Sequence, residues 1–188
     1  MRLLVAGARW IACTLAIPLA ISLSTVGPSH ARTWPRGAPS ASDYLLINDN
    51  RGNGEVVLVY WIAPPMMPAT SQAARDLLDK YIVIGIVHAH GTKEGSFTFD
   101  RPSTLEARGA QDEPLQSLDM DTMPPAVVGT LAVLKSTFSR SLGAFGQGMQ
   151  WFVFGGGSVH ACSKGGMAVL FADEKYTYAT PVPGCPTT

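Results

Sequence analysis

The chain is poor in charge and in cysteine, and these shortages limit what it can be. Charged residues make up 15% of the 188 residues, and 14 basic side chains are matched by 14 acidic ones. Nucleic-acid-binding domains concentrate an excess of lysine and arginine on one face. The balanced composition therefore argues against nucleic acid as a partner.

Long apolar runs are also scarce. Nothing after the N-terminal region approaches the roughly 18 consecutive apolar residues that a membrane-spanning helix needs. The apolar stretch over residues 11–23 is short, contains Pro18 and follows Arg2 and Arg9, and small residues ending at Ala31 come after it. This layout is typical of a secretory signal peptide. We expect a periplasmic or secreted protein that is soluble and has no transmembrane segment after cleavage, with an uncleaved N-terminal anchor as the alternative.

The layout divides the chain into three segments. Residues 1–31 are predicted to be the signal peptide, and residues 32–54 an irregular lead-in rich in Pro, Gly, Ser and Asn, in which residues 44–47 suit a short strand. Residues 55–188 are predicted to form a single domain. Cleavage takes two of the 14 basic residues and leaves 12 against 14 acidic ones, so the mature net charge is −2.

Cleavage also removes Cys13, which leaves Cys162 and Cys185 in an exported chain. Because oxidation is permitted outside the cytoplasm, we predict a disulfide between these two residues. It closes a loop of about 20 residues and stabilises the fold by roughly 3 kcal/mol in the chain-entropy picture. Two free thiols or a thiolate metal site are the alternatives.

Strand and helix patterns alternate along the domain. Residues 70–80 and 125–142 are predicted to be helices from apolar side chains at helical spacing, and Gly143 is a typical residue after a helix end. A short exposed hairpin is predicted over residues 105–118. Strands are predicted where residues are apolar throughout or alternate between apolar and polar. These segments are residues 55–63, 81–91, 97–99, 149–154, 159–162, 167–171 and 176–179.

These elements predict an α+β fold in one domain, with two helices packed on a mixed, largely antiparallel sheet of about seven or eight short strands. The strands after the second helix are too closely spaced for parallel crossovers. The strand, helix and strand over residues 55–90 also suit a right-handed parallel unit. The sequence therefore leaves open whether the first two strands of the domain are parallel or antiparallel.

The clearest candidate for chemistry is a pair of histidines at the end of the strand over residues 81–91. His88 and His90 are two residues apart, so both imidazoles point to one face, as two ligands of a single metal ion do. His160 supplies a third ligand if its strand is a neighbour. The three residues suit zinc or copper, and the alternative is that they are surface histidines without a ligand.

Other candidate constellations favour structural interpretations. His160 and Cys162 share a face, but the predicted disulfide consumes the thiol. Ser158 follows three glycines without the strand-to-helix elbow of a catalytic serine. The carboxylate pairs, Asp100 with Glu106 and Asp119 with Asp121, lie in polar loops that suit solvated turn residues.

Several large apolar residues lie near loops and element ends, where turns do not require them. They either close the ends of the core or form an exposed contact surface for a protein, a peptide or a small apolar ligand. The candidates are Trp61, Met66, Met67, Phe145, Met149, Trp151 and Phe152.

The sequence contains no recognisable catalytic constellation and implies no cofactor. We therefore expect an exported protein that acts by binding or structural association rather than by catalysis. The alternative is a metal-binding protein or metal-dependent hydrolase that uses His88, His90 and His160.

Overall fold

The computed structural model describes residues 40–49, 54–68 and 70–186. The predicted signal peptide, its Cys13 and about half of the predicted lead-in lie outside these residues. The short strand predicted at residues 44–47 is present as Leu45–Asn48, and a 3₁₀ turn at Ala41–Tyr44 precedes it.

The described residues form eight strands and three helices. The strands are β1 (Leu45–Asn48), β2 (Glu55–Ile62), β3 (Tyr81–Gly91), β4 (Phe97–Asp100), β5 (Glu106–Gly109), β6 (Gln150–Gly155), β7 (Gly165–Phe171) and β8 (Glu174–Thr180). The helices are α1 (Gln72–Lys80), α2 (Pro125–Leu142) and α3 (Ala144–Gly148). None of the helices in this part of the chain is long and apolar enough to cross a membrane.

The predicted α+β class, the two long helices and the number of strands are confirmed. The strands form two sheets rather than one. The large sheet has the order β1-β2-β3-β4, with β6 pairing the first half of β3 on the same side as β4. The small sheet has the order β5-β7-β8. Every strand pair in the described residues is antiparallel.

The parallel alternative for residues 55–90 is wrong, because β2 and β3 are antiparallel neighbours. A parallel unit requires the helix to carry the chain back along the full length of the first strand. β2 has 8 residues and spans about 26 Å at the usual rise of a strand. α1 has 9 residues and spans only about 14 Å. The chain therefore re-enters the sheet at the end where it left.

The large sheet is covered on both faces. Tyr60 points to the helices, where its ring lies edge-on to Phe138 of α2 at 5.2 Å. Trp61 points to the small sheet and meets Tyr178 of β8 at 5.6 Å. The Tyr178 hydroxyl also donates to the backbone carbonyl of Val59 at 2.7 Å, which ties the two sheets together. The domain is thus a helix layer, the large sheet and the small sheet in that order.

Two predicted local structures differ from the structure. Residues 159–162 form no strand, because the glycine-rich segment turns instead, with the Val159 amide donating to the Gly156 carbonyl at 2.8 Å. Residues 105–118 turn back as predicted, since the Leu115 amide donates to the Ala107 carbonyl and the Gly109 amide to the Glu113 carbonyl, both at 2.8 Å. The hairpin is not wholly exposed, because β5 also pairs with β7 and Leu105 and Ala107 are buried.

The C-terminal segment is fastened at two points near one end of the large sheet. Cys162 and Cys185 form the predicted disulfide. The buried Tyr44 donates its hydroxyl hydrogen to the Pro183 carbonyl at 2.6 Å. Burial, reinforced by the charge of Asp43, raises the pKa of Tyr44 to about 12.

Replacing both Cys162 and Cys185 by serine should lower the free energy of unfolding by about 3 kcal/mol, because the disulfide restrains the unfolded chain over a separation of 23 residues. Urea unfolding monitored by circular dichroism measures this loss. Ser163→Ala, an exposed neighbour, is the control and should change little. Equal stability of the double variant and the wild type would contradict the prediction.

Tyr44→Phe should remove part of the alkaline loss of stability. The pKa of Tyr44 is raised from 10.0 to about 12 in the folded state, so the folded state holds a proton that the unfolded state releases. The stability linked to this proton is present below pH 10 and is lost as the pH rises through about 12.

Urea unfolding at several pH values between neutral and strongly alkaline measures this difference. The variant should lose about 1 kcal/mol at neutral pH with its hydrogen bond. Its stability should then fall less steeply than that of the wild type above pH 10. Parallel curves for the two proteins would show that Tyr44 does not carry the effect.

Candidate metal centre

The start of β2, the end of β3 and the end of β4 meet at one end of the large sheet. In the strand register Glu55 lies opposite His90, and Asp100 lies opposite His88. Because side chains alternate along a strand, all four point to the same face, the one that the small sheet covers. The antiparallel register therefore gathers two imidazoles and two carboxylates from three strands.

The four side chains are in direct contact. His88 Nε2 lies 2.7 Å from Glu55 Oε1, and His88 Nδ1 lies 3.0 Å from Asp100 Oδ2. His90 Nε2 lies 2.9 Å from the same oxygen of Asp100. The two imidazole rings are 4.6 Å apart between centroids. One carboxylate oxygen of Asp100 thus contacts both histidines.

His88 lies between two carboxylates, and this arrangement suits a positive charge at the ring. A neutral imidazole has one N–H donor and one bare nitrogen, so it satisfies only one of two flanking carboxylates. A second ring proton makes both contacts favourable. So does a metal ion bound between Nε2 and Glu55, with Nδ1–H donating to Asp100.

The hydrogen bond from His90 lowers the pKa of the Asp100 carboxyl, and the charges of His88 and His90 add to this effect. Asp100 is therefore ionised at neutral pH and serves as an acceptor for ring nitrogens. Since His90 Nε2 is committed to Asp100, Nδ1 is the His90 nitrogen that is left for another ligand.

Exposure increases across the cluster toward Asp100. The side chains of His88 and Glu55 are 14% and 21% exposed, whereas those of His90 and Asp100 are 39% and 56% exposed. The ring of Phe171, at the end of β7, lies edge-on to His88 at 5.4 Å. The cluster is thus closed by Phe171 on the side of the core and open on the side of Asp100.

Three of these residues have the arrangement of metal ligands. Glu55, His88 and His90 each offer one ligand atom, and these atoms lie within 4.8 Å of one another. Two ligands bound to one zinc ion at about 2.1 Å are separated by about 3.4 Å in tetrahedral geometry, so small side-chain rotations bring the three atoms onto one ion. Imidazole with carboxylate is a donor set that suits zinc and copper.

His160 lies far from His88 and His90, so it does not complete their site. The Gly156 amide donates to the Lys80 carbonyl at 2.9 Å, which places the segment before His160 at the start of β3. His88 is seven residues further along β3, a distance of about 23 Å in an extended strand. His160 belongs to the turn that precedes the disulfide, and Cys162 is consumed in that disulfide.

Two of the residues predicted for the contact surface are buried in the core. Trp61 is only 2% exposed and Met149 only 5%, so both are core residues and cannot meet a partner. The other candidates are partly buried and pack against the core: Met66, Met67, Phe145, Trp151 and Phe152. Trp151 lies edge-on to Phe138 at 5.2 Å, as expected of a residue that closes the core.

Sequence reasoning did not find Glu55 and Asp100 as members of the cluster. Asp100 was paired with Glu106, which instead binds Arg108 on β5. An antiparallel pairing of β2 and β3 places the start of β2 opposite the end of β3, so it brings Glu55 beside the histidines. The sequence left open whether these strands are parallel or antiparallel, and Glu55 could therefore not be assigned to the cluster.

Comparison of the chain with protein-family models, with curated proteins and with solved structures found no significant match. Function must therefore be inferred from the geometry of the cluster itself.

Proposed function

We propose that this chain is an exported protein that binds one divalent transition-metal ion, zinc or copper, through Glu55, His88 and His90. The observation that supports the proposal is the cluster of one carboxylate and two imidazoles on one sheet face, with ligand atoms within 4.8 Å of one another. The proposal keeps the predicted binding role and replaces His160 by Glu55 as the third ligand.

The position of His88 between two carboxylates supports the proposal of a bound metal ion. Its Nε2 faces Glu55 and its Nδ1 faces Asp100, so a cation at Nε2 satisfies both carboxylates at once. A bound metal ion supplies this charge without a second proton on the ring. The remaining Nδ1–H then forms the carboxylate–histidine–metal arrangement common in metal sites.

Asp100 has a different role from the three ligands in this proposal. Its Oδ2 accepts hydrogen bonds from His88 Nδ1 and His90 Nε2. These contacts hold the rings with His88 Nε2 at Glu55 and leave His90 Nδ1 as the ring nitrogen for the ion. We therefore regard Asp100 as a positioning residue that orients both imidazoles.

Export is part of the proposal because two independent features suit it. Residues 1–31 have the layout of a signal peptide. The disulfide between Cys162 and Cys185 is compatible with an oxidising compartment. Recovery of the native chain from the periplasm or the culture medium, with residues 1–31 removed, tests this part separately.

The His88→Ala/His90→Ala double variant should lose metal binding while remaining folded. Wild-type protein, freed of metal by a chelator and reloaded, should bind one equivalent of Zn²⁺ or Cu²⁺ in isothermal titration calorimetry. The double variant should bind at least about 100-fold more weakly, because loss of a ligand costs more than the 10–100-fold typical of an outer partner.

His160→Ala is the matched control, since it removes an imidazole at the opposite end of the large sheet. It should keep the wild-type affinity. Circular dichroism of the metal-free proteins shows whether the double variant is folded. Failure of the wild type to bind stoichiometric metal, or equal binding by the double variant, overturns the proposal.

Asp100→Asn should weaken metal binding about 10- to 100-fold while leaving one equivalent bound. The amide keeps one acceptor oxygen but loses the negative charge that both histidine N–H groups contact. Titration calorimetry measures the affinity, with Asp119→Asn, an exposed carboxylate elsewhere, as the control. An unchanged affinity contradicts the orienting role, and a loss as large as that of the double variant makes Asp100 a direct ligand.

A further inference from the structure

The three proposed ligands rise from one face of one sheet. Glu55 and His90 are direct partners in the register, and His88 precedes His90 by two residues on the same strand. Their side chains therefore approach an ion from one side only, as three neighbouring corners of its coordination sphere. Any protein ligand on the opposite side of the ion must come from another part of the molecule.

The described residues provide no fourth histidine, cysteine or carboxylate ligand. No other histidine, cysteine, aspartate or glutamate of the described ranges joins Glu55, His88 and His90 in the group whose ligand atoms lie within 4.8 Å of one another. The carboxylate of Asp100 is held at the outer nitrogens of the two rings. Phe171 of the small sheet contacts the ring of His88, and its own ring has no atom that binds a metal.

Zinc sites with four protein ligands and zinc sites with three differ in function. Structural sites are closed by four protein ligands, whereas sites with three protein ligands keep the fourth position for water or for another small donor. The exposure of His90 at 39% gives solvent access to the open side of this cluster.

We propose that the metal bound by Glu55, His88 and His90 keeps one exchangeable coordination position, filled by water and open to a small exogenous donor. This inference rests on the proposed function. It makes the centre an exchange site for a small monodentate ligand, bounded by Phe171 on one side, rather than a structural clamp for the end of the large sheet.

Cobalt substitution followed by azide titration tests the open position. Co²⁺ replaces Zn²⁺ with similar geometry and has visible absorption bands that respond to its ligands. The full-length mature protein carrying one equivalent of Co²⁺ should show a saturable change of these bands as azide is added, with one azide per cobalt. Gel filtration after the titration should show that the cobalt has stayed on the protein.

His160→Ala should give the same azide response as the wild type, and the His88→Ala/His90→Ala variant should give only that of free Co²⁺. A protein that takes up no Co²⁺, Zn²⁺ or Cu²⁺ overturns both this inference and the proposed function. A protein that binds Co²⁺ stoichiometrically but whose bands do not respond to azide overturns this inference alone, since its coordination is then closed.

Discussion

The register between β2 and β3 is the constraint on which the candidate metal centre depends. Eight residue pairs join these strands, from Glu55 opposite His90 to Ile62 opposite Val83. Since side chains alternate between faces, a slip of one residue moves Glu55 to the face opposite the histidines. Both strands are apolar on both faces, so the hydrophobic pattern alone does not fix the register.

Packing on the helix side of the large sheet helps to fix the register that the hydrophobic pattern leaves open. A Cβ atom on Gly85 would lie 2.6 Å from Met149 Sδ, so a larger residue at this position displaces the methionine side chain. Gly85 in turn lies opposite Tyr60, whose ring packs on Phe138 of α2. Contacts in the middle of β3 therefore decide which side chains meet at its end.

The sequence predicts the elements of this fold well and their spatial pairing poorly. The two long helices, the strands of the large sheet and the disulfide follow from local periodicity and cysteine count. The inclusion of Glu55 and Asp100 in the cluster does not, because it depends on contacts between strands that are distant in sequence. The predicted strand that carries His160 is absent for a local reason. The apolar residues after Gly157 suggested a strand, but Gly156 and Gly157 favour a turn there.

The fastening of the C-terminal segment also gives the molecule two distinct ends. Tyr44 and Pro183, near the two ends of the described chain, are joined by a hydrogen bond. They lie beside the Tyr60 end of β2, five residues or about 16 Å of strand from Glu55. The hydrogen bond between Tyr44 and Pro183 and the candidate metal centre therefore lie at opposite ends of β2, so a substitution at Tyr44 and one at Glu55 act on different ends of the large sheet.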